Sequence, residues 1–412
     1  MNYKPSKTLR FLALAALVST GACSDVLTLD VEAPGRISDD DLNNRNAVSG
    51  LVSGMSYDLT QAMDGVLQEL SLAGGDLWHS GSYDFGTYPR GILLQNPEDW
   101  DGSYGTMQQA RWVAEDGLRR ISEILEPADF ESSNDVARAY LLGGFANRLL
   151  GEVQCSSTID GGPEVPNTEH FNRADSLFAR AIAVGTAAGA DDIVMAAHGG
   201  RASIRAWLGD WDGAVNEALE VDDDFVYDLV FSTVSGAVSN DLVFETTSRK
   251  EFTVLNTMWE SVPDDPRVPW EIAYDDAGQV EKGQDGETDF YQQLKYLTQD
   301  DNVPATKGTE MLVLRAEAAL RNDEPYAVMV ALLDEARAVY GAEPIATVPV
   351  TDAEAWELLR TERAATVWLE GRRLWDLHRW KQEGGVIADP YAADRDTCFP
   401  ISDEERRVNS NF

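Results

Sequence analysis

Apolar residues recur at helical spacing along most of this chain, and the places where that rhythm fails mark its loops. Ala47, Leu51, Met55, Leu59 and Met63 predict a helix over Asn43–Met63. Residues 71–105 break the pattern with a dense mixture of Gly, Trp, Tyr and Asp, running from Gly74-Gly75-Asp76 through Tyr88-Pro89 to Trp100. Helical spacing resumes over Gly105–Leu125 and Asn134–Leu150, pauses at Pro163 and Pro166, and returns near Asn172. Between Arg201 and Val221, the residues Ala202, Ala206, Leu208, Gly209, Trp211, Ala214 and Ala218 alternate small and large as in a tetratricopeptide-type helical hairpin. Vaguer units fall at 138–150 with 174–188 and at 311–340, so the expected architecture is an imperfect helical array whose units stack to bury their apolar faces.

Residues 225–300 interrupt the array. Leu242-Val243-Phe244-Glu245-Thr246-Thr247 has strand-like composition, and Pro263, Pro266, Pro269, Gly278 and Gly286 predict irregular loops with a few short strands. Beyond them, Thr351 and Glu354 form a capping box for a long helix running toward Lys381. At 100° per residue, that helix would align Glu362, Thr366, Leu369, Arg373, Asp376 and Trp380 in one stripe, its opposite charges paired because a buried unpaired charge costs several kcal/mol. Neighbouring arginines would depress the pKa of Glu362 and Asp376, whereas a general acid needs a raised one, so these are read as scaffold residues and no enzyme is expected. The body therefore reads as one mostly α domain, 43–412, with loop-rich insertions at about 71–105 and 225–300.

The N-terminus changes this picture. Lys4, Lys7 and Arg10 precede an apolar run from Phe11 to Val18 that is too short to span a bilayer. Small residues then lead to Cys23. This is a signal peptide over 1–22 ending in a lipobox-like site, with Thr20 where Leu is usual. Acylation of Cys23 would anchor the chain to a membrane through an acidic tether at 23–42, since several acyl chains together hold stably. Ser24-Asp25 after the cysteine suits export to the outer leaflet. An exported chain can also pair Cys155 with Cys398, 243 residues apart, although the sequence leaves that pairing open.

Composition adds exclusions. An apolar fraction of 43% and a charged fraction of 25% are those of a globular protein, while 71 acidic against 33 basic residues give a net charge of −38, which repels nucleic acid. With four histidines and no Cys-x-x-Cys, no transition-metal site or cofactor is expected. The acidic run Asp222–Asp224 matches no calcium loop and reads as a solvated charge run.

Against this background the chain resembles the SusD/RagB family of nutrient-binding outer-membrane lipoproteins. The resemblance is carried by Glu362-Arg363, then Glu370-Gly371-Arg372-Arg373, then Asp376-Leu377 with Arg379-Trp380. Upstream, Asp265-Pro266-Arg267, Lys295-Tyr296 and Glu310 through Ala318 follow in the family's order, as does the tail from Phe399 to Asn409. The resemblance implies a SusD-like helical body at the cell outer membrane, facing the exterior. It further implies capture of a glycan, or in some members a peptide, for delivery to a SusC-like TonB-dependent transporter. Flat rings beside directional polar groups are what such recognition needs. The expected ligand residues are Trp78, His79, Tyr83, Phe85, Tyr88 and Trp100 in the first loop region and Phe252, Asn256 and Trp259 in the second. A hydrolase and a tetratricopeptide-type adaptor are the competing readings.

Overall fold

The computed structural model describes residues 40–412 apart from 84, 96, 97 and 263. It divides into residues 1–44 and a large unit, Arg45–Phe412. Of the first unit only residues 40–44 are described, beginning with a short turn, Asp40–Leu42, so the signal peptide, Cys23 and almost all of the proposed tether lie outside the described residues.

In the large unit, α1 (Val48–Ala73) buries Val52, Met55, Leu59, Met63, Val66 and Leu70 along one face. It runs ten residues beyond the end expected from the sequence because that apolar face continues through Leu72. Helix α2 (Glu98–Ile124) packs along it, followed by the short α3 (Pro127–Phe130). The hairpin pairs then stack: α4 (Asn134–Val153) with α5 (Thr168–Ala188), and α6 (Asp191–Trp207) with α7 (Trp211–Ala218). Phe178 of α5 fills the space that Gly144 of α4 and Gly200 of α6 leave by having no side chain. The tetratricopeptide-like turn forms as its sequence predicts. Gly209 takes φ 84°, and Asp210 caps α7 by accepting from the Gly213 N–H at 3.0 Å.

Two expectations are corrected. Residues 242–247 are not a strand but lie in a short helix, α8 (Asp241–Thr247). The Asn240 side chain caps it, and its Leu242, Val243 and Thr246 are buried, so capping and tertiary burial override a modest β-propensity. The C-terminal helix is also not continuous. After α9 (Gly308–Arg321) and α10 (Tyr326–Val339), α11 (Asp352–Thr366) begins on the expected Thr351/Glu354 capping box and stops. Leu369 (φ 57°) and Gly371 (φ 69°) turn the chain before α12 (Arg373–Glu383). The turn is held from outside the helix: buried Asp76 accepts the Leu369 N–H at 3.1 Å, and Lys295 and Lys307 both bind Glu370. Helix α13 (Asp403–Val408) closes the chain.

The strands are short antiparallel pairs among the described residues. In order along the chain, β1 (Trp78–His79) pairs with β5 (Phe252–Thr253) and β2 (Ser156–Ser157) with β3 (Val165–Pro166). Likewise β4 (Val226–Leu229) pairs with β8 (Val303–Lys307) and β6 (Trp270–Ile272) with β7 (Tyr291–Gln293). The β1–β5 pair joins the two aromatic-rich segments. No described helix is long and apolar enough to cross a membrane.

The charged signature residues form buried ion pairs, as their sequence context requires, although two helices and a turn supply them. Arg363, 1% exposed, binds Glu310 and Asp376 at 2.8 Å each. Arg372 bridges Glu152 at 3.0 Å and Glu310 at 3.1 Å, and Arg379 holds Glu317 at 2.6 Å. Glu362 is clasped by Arg267 at 2.6 Å and Arg337 at 2.7 Å. Burial pushes the Glu310 carboxyl up, but Arg372, Arg363 and Arg148 outweigh it and hold the group at about 2. Glu317 is held at about 2 in the same way by Arg379 and Arg321. Cys155 and Cys398 are bonded, with Cα atoms 5.0 Å apart, which closes the question the sequence left open.

Candidate ligand site

Four of the rings expected at a ligand site are core residues instead. Trp100 is fully buried, stacked on Phe399 at 4.3 Å with its indole N–H donating to the Pro400 carbonyl at 3.0 Å. Tyr88 packs edge-on against Phe399 at 5.8 Å. Phe252 is buried under Phe85, which meets it edge-on at 5.3 Å and is itself partly buried against the core. Trp259 is 1% exposed, and its carbonyl accepts the Trp270 indole N–H at 3.1 Å. Composition cannot separate these cases, because a large ring stabilises a core through the same apolar area that would grip a ligand.

Besides Phe85, the remaining four residues divide into two groups. Tyr83 is 57% exposed, with the Arg249 guanidinium 4.0 Å above its ring. Its loop is pinned from below, since buried Glu251 accepts the Tyr83 N–H at 2.9 Å and lies 3.4 Å from His79. Trp78 and Asn256 instead line a cavity of about 470 Å³.

Six stretches of chain converge on this cavity, one of them contributing Pro89. Residues 75–78 leave α1, and Asn256–Met258 follow β5. Glu357, Arg360 and Thr361 come from the middle of α11, and Arg373 opens α12. The turn Pro390–Ala392 contributes Tyr391, with Arg395 just beyond. Tyr391 lies against Gly75 (φ 79°), where a β-carbon would come within 2.4 Å of the phenol oxygen, so this wall requires glycine. Two guanidiniums lie near the ring, Arg373 at 5.3 Å and Arg395 at 4.1 Å from its centre. Arg373 is positioned by the Gly75 carbonyl at 3.1 Å and by Asp76 at 3.4 Å, and Arg395 by the Pro89 carbonyl at 2.8 Å. Arg360 donates to the carbonyls of Val386 at 2.9 Å and Ile387 at 3.2 Å. Burial pushes the Tyr391 phenol up and the Arg360 and Arg395 guanidiniums down from their usual values.

Sequence reasoning did not find Tyr391, Arg360 or Arg395. The available signal was Asp389-Pro390-Tyr391 beside Gly384-Gly385, an aromatic on a capped turn; the Asp389 side chain accepts the Tyr391 N–H at 2.9 Å. Chemically, the cavity offers two aromatic faces, Trp78 and Tyr391, beside guanidinium and amide groups. That set suits recognition of a polar, ring-shaped solute.

The fold is a helical-hairpin array with a cavity built from its loops and C-terminal turns. Residues 292–397 match the model of the SusD family, and this segment supplies α11, α12 and the Tyr391 side of the cavity. The fold agrees across nearly the whole chain. A SusD/RagB family protein from Bacteroides thetaiotaomicron VPI-5482 superposes with a TM-score of 0.65 at 13% identity, covering 88% of this chain and 94% of that one. A SusD-like carbohydrate binding protein from Bacteroides vulgatus ATCC 8482 gives 0.66 at 13% identity, covering 90% and 97%. A laminarin binding SusD-like protein gives 0.64 at 14% identity, covering 88% and 97%. No curated protein matches the chain. The chain is SusD/RagB-like in fold and in its C-terminal signature.

Proposed function

We propose that this protein is a non-catalytic, glycan-capturing lipoprotein of the outer membrane. Acylated Cys23 anchors it facing the exterior, and it passes bound oligosaccharide to a SusC-like TonB-dependent transporter. One observation carries the glycan reading: Trp78 and Tyr391 present flat apolar faces in a cavity whose other walls carry Asn256, Arg360, Arg373 and Arg395. Sugars bind in this way because their ring C–H faces pack on aromatics while their hydroxyls need directional partners. Two proteins of the same fold, one carbohydrate binding and one laminarin binding, support the ligand class.

The alternatives have weaker support. A hydrolase needs a carboxyl of raised pKa beside a second carboxylate at the bound sugar. Asp64, pushed up to about 8 by burial, sits on α1 and does not line this cavity. Of the two acids that do, Asp389 is engaged in capping the Tyr391 turn. An adaptor would use the groove of about 530 Å³ between α7, α9 and α10, which has no aromatic ring among its lining residues.

Calorimetry of the mature chain against a panel of oligosaccharides including laminarin fragments tests the site. Tyr391→Ala and Trp78→Ala are each expected to weaken binding by about tenfold or more, equivalent to about 1.4 kcal/mol. Parent-like affinity in both variants would remove this cavity from the reading. Anchoring is tested separately. Globomycin, which blocks lipoprotein signal cleavage, is expected to accumulate the precursor, and unchanged processing would exclude the Cys23 anchor.

A further inference from the structure

Two acidic residues for every basic one, the ratio of 71 to 33 in this chain, predict an acidic lining for any surface hollow. The Trp78–Tyr391 cavity departs from that expectation, since three guanidiniums face two carboxyls there, those of Glu357 and Asp389. Arginine cannot shed its charge at any physiological pH, so a partly buried guanidinium needs an oxyanion or several carbonyls to offset its lost hydration.

Elsewhere the protein meets that need with carboxylates, as at Arg363, Arg372 and Arg379. Here it does so incompletely. Arg373 has one carboxylate, Asp76, at 3.4 Å, and burial pushes that carboxyl up against the pull of Arg373. Arg360 and Arg395 make no ion pair within 4.0 Å among the described residues and bind only backbone carbonyls. Arg360 uses Nη1 alone for this and Arg395 uses Nη2, while Arg395 Nε is buried without a hydrogen-bond partner. The edges that remain available beside the Tyr391 ring are Arg360 Nε and Nη2 and Arg395 Nη1, which make no hydrogen bond among the described residues and are not buried. Arg395 lies 4.1 Å over that ring, a stacking that orients its planar fork.

Resting on the glycan reading above, we infer that the saccharide taken by this cavity is acidic. Its carboxylate or sulfate oxygens are received by Arg360 and Arg395 while a sugar ring lies against Tyr391 or Trp78. A bidentate guanidinium–oxyanion pair is stronger than a neutral hydrogen bond and selects a planar or tetrahedral oxyanion over a hydroxyl. The global charge of −38 does not prevent this, because at physiological ionic strength charges beyond about 8 Å are largely screened and the local guanidiniums dominate inside the cavity.

The test is calorimetry of the mature chain in 0.15 M salt on matched ligand pairs. Short oligogalacturonates are compared with their methyl esters, and sulfated galactan fragments with the same fragments desulfated. At least one acidic member is expected to bind about tenfold tighter than its neutral counterpart, a gap of about 1.4 kcal/mol. Arg360→Gln is expected to close most of that gap by weakening the acidic member several-fold more than its neutral counterpart, and equal weakening of both would overturn the inference. Which pair shows the gap distinguishes carboxylate from sulfate. The preference should also shrink as salt is raised, an observation that needs no variant. If acidic and neutral members bind equally, or only neutral saccharides bind, the inference is overturned and the glycan reading stands. If no saccharide binds and a peptide with a free C-terminal carboxylate does so through Arg360, both fall.

Discussion

Replacing Glu310 with Gln is expected to lower the unfolding free energy at pH 7 by about 3–5 kcal/mol, although the side chain keeps its size, because buried guanidiniums lose their counter-charge. Glu310 is 1% exposed and receives Arg363 at 2.8 Å and Arg372 at 3.1 Å. Arg148, buried alongside them, is already pushed down to about 10 by burial and by the charge of Arg372, so the cluster has no spare anion. Without Glu310, three cations would face only Glu152 and Asp376. The network also sets the acid limb of stability. Glu310 and Glu317 titrate at about 2 in the folded protein against a usual 4.5, so their contribution is complete above pH 4.5 and drains as pH falls toward 2. Urea unfolding of parent and variant at pH 7 and pH 3 checks both statements. The variant should lose less on acidification than the parent, and a difference below about 1 kcal/mol at pH 7 would show that the network does not need this carboxylate.

Loss of the Cys155–Cys398 bond should be the second large effect. The bond spans 243 residues, so removing it frees a very long loop in the unfolded chain, and Cys155→Ser with Cys398→Ser is expected to cost about 2–5 kcal/mol. The bond fastens the tail at the end of α4, where the Cys155 N–H donates to the Phe399 carbonyl at 2.9 Å and the Phe399 N–H to the Val153 carbonyl at 2.8 Å. Phe399 in turn packs on Trp100 and Tyr88. Urea midpoints of the double variant and of the parent under reductant should coincide, both below the oxidised parent. Equal midpoints for all three would mean that tail packing alone holds the C-terminus.

How far each feature was legible in the sequence follows from the range of the forces that make it. The hairpin at 201–221 was readable because Gly209, Asp210 and Trp211 each act on their immediate neighbours. The ion-pair role of Glu362, Arg363 and Asp376 was readable because opposite charges in an apolar context have few other outcomes. The break at Leu369–Gly371 was not, since its cause, the Asp76 carboxylate, lies almost 300 residues earlier. The aromatic-rich segments were visible in the sequence, yet Trp100, Tyr88, Phe252 and Trp259 went to the core and Trp78 to the cavity.

Local pattern by itself thus determined the helical array, its capped ends and the need to pair the buried charges, because spacing, capping and charge act within a few residues. Tertiary structure alone decided which rings face solvent, that Cys155 meets Cys398, and that Arg360, Arg373, Tyr391 and Arg395 close a cavity with Trp78. Burial and contact between distant segments depend on how whole elements pack, and no short window of sequence contains that information.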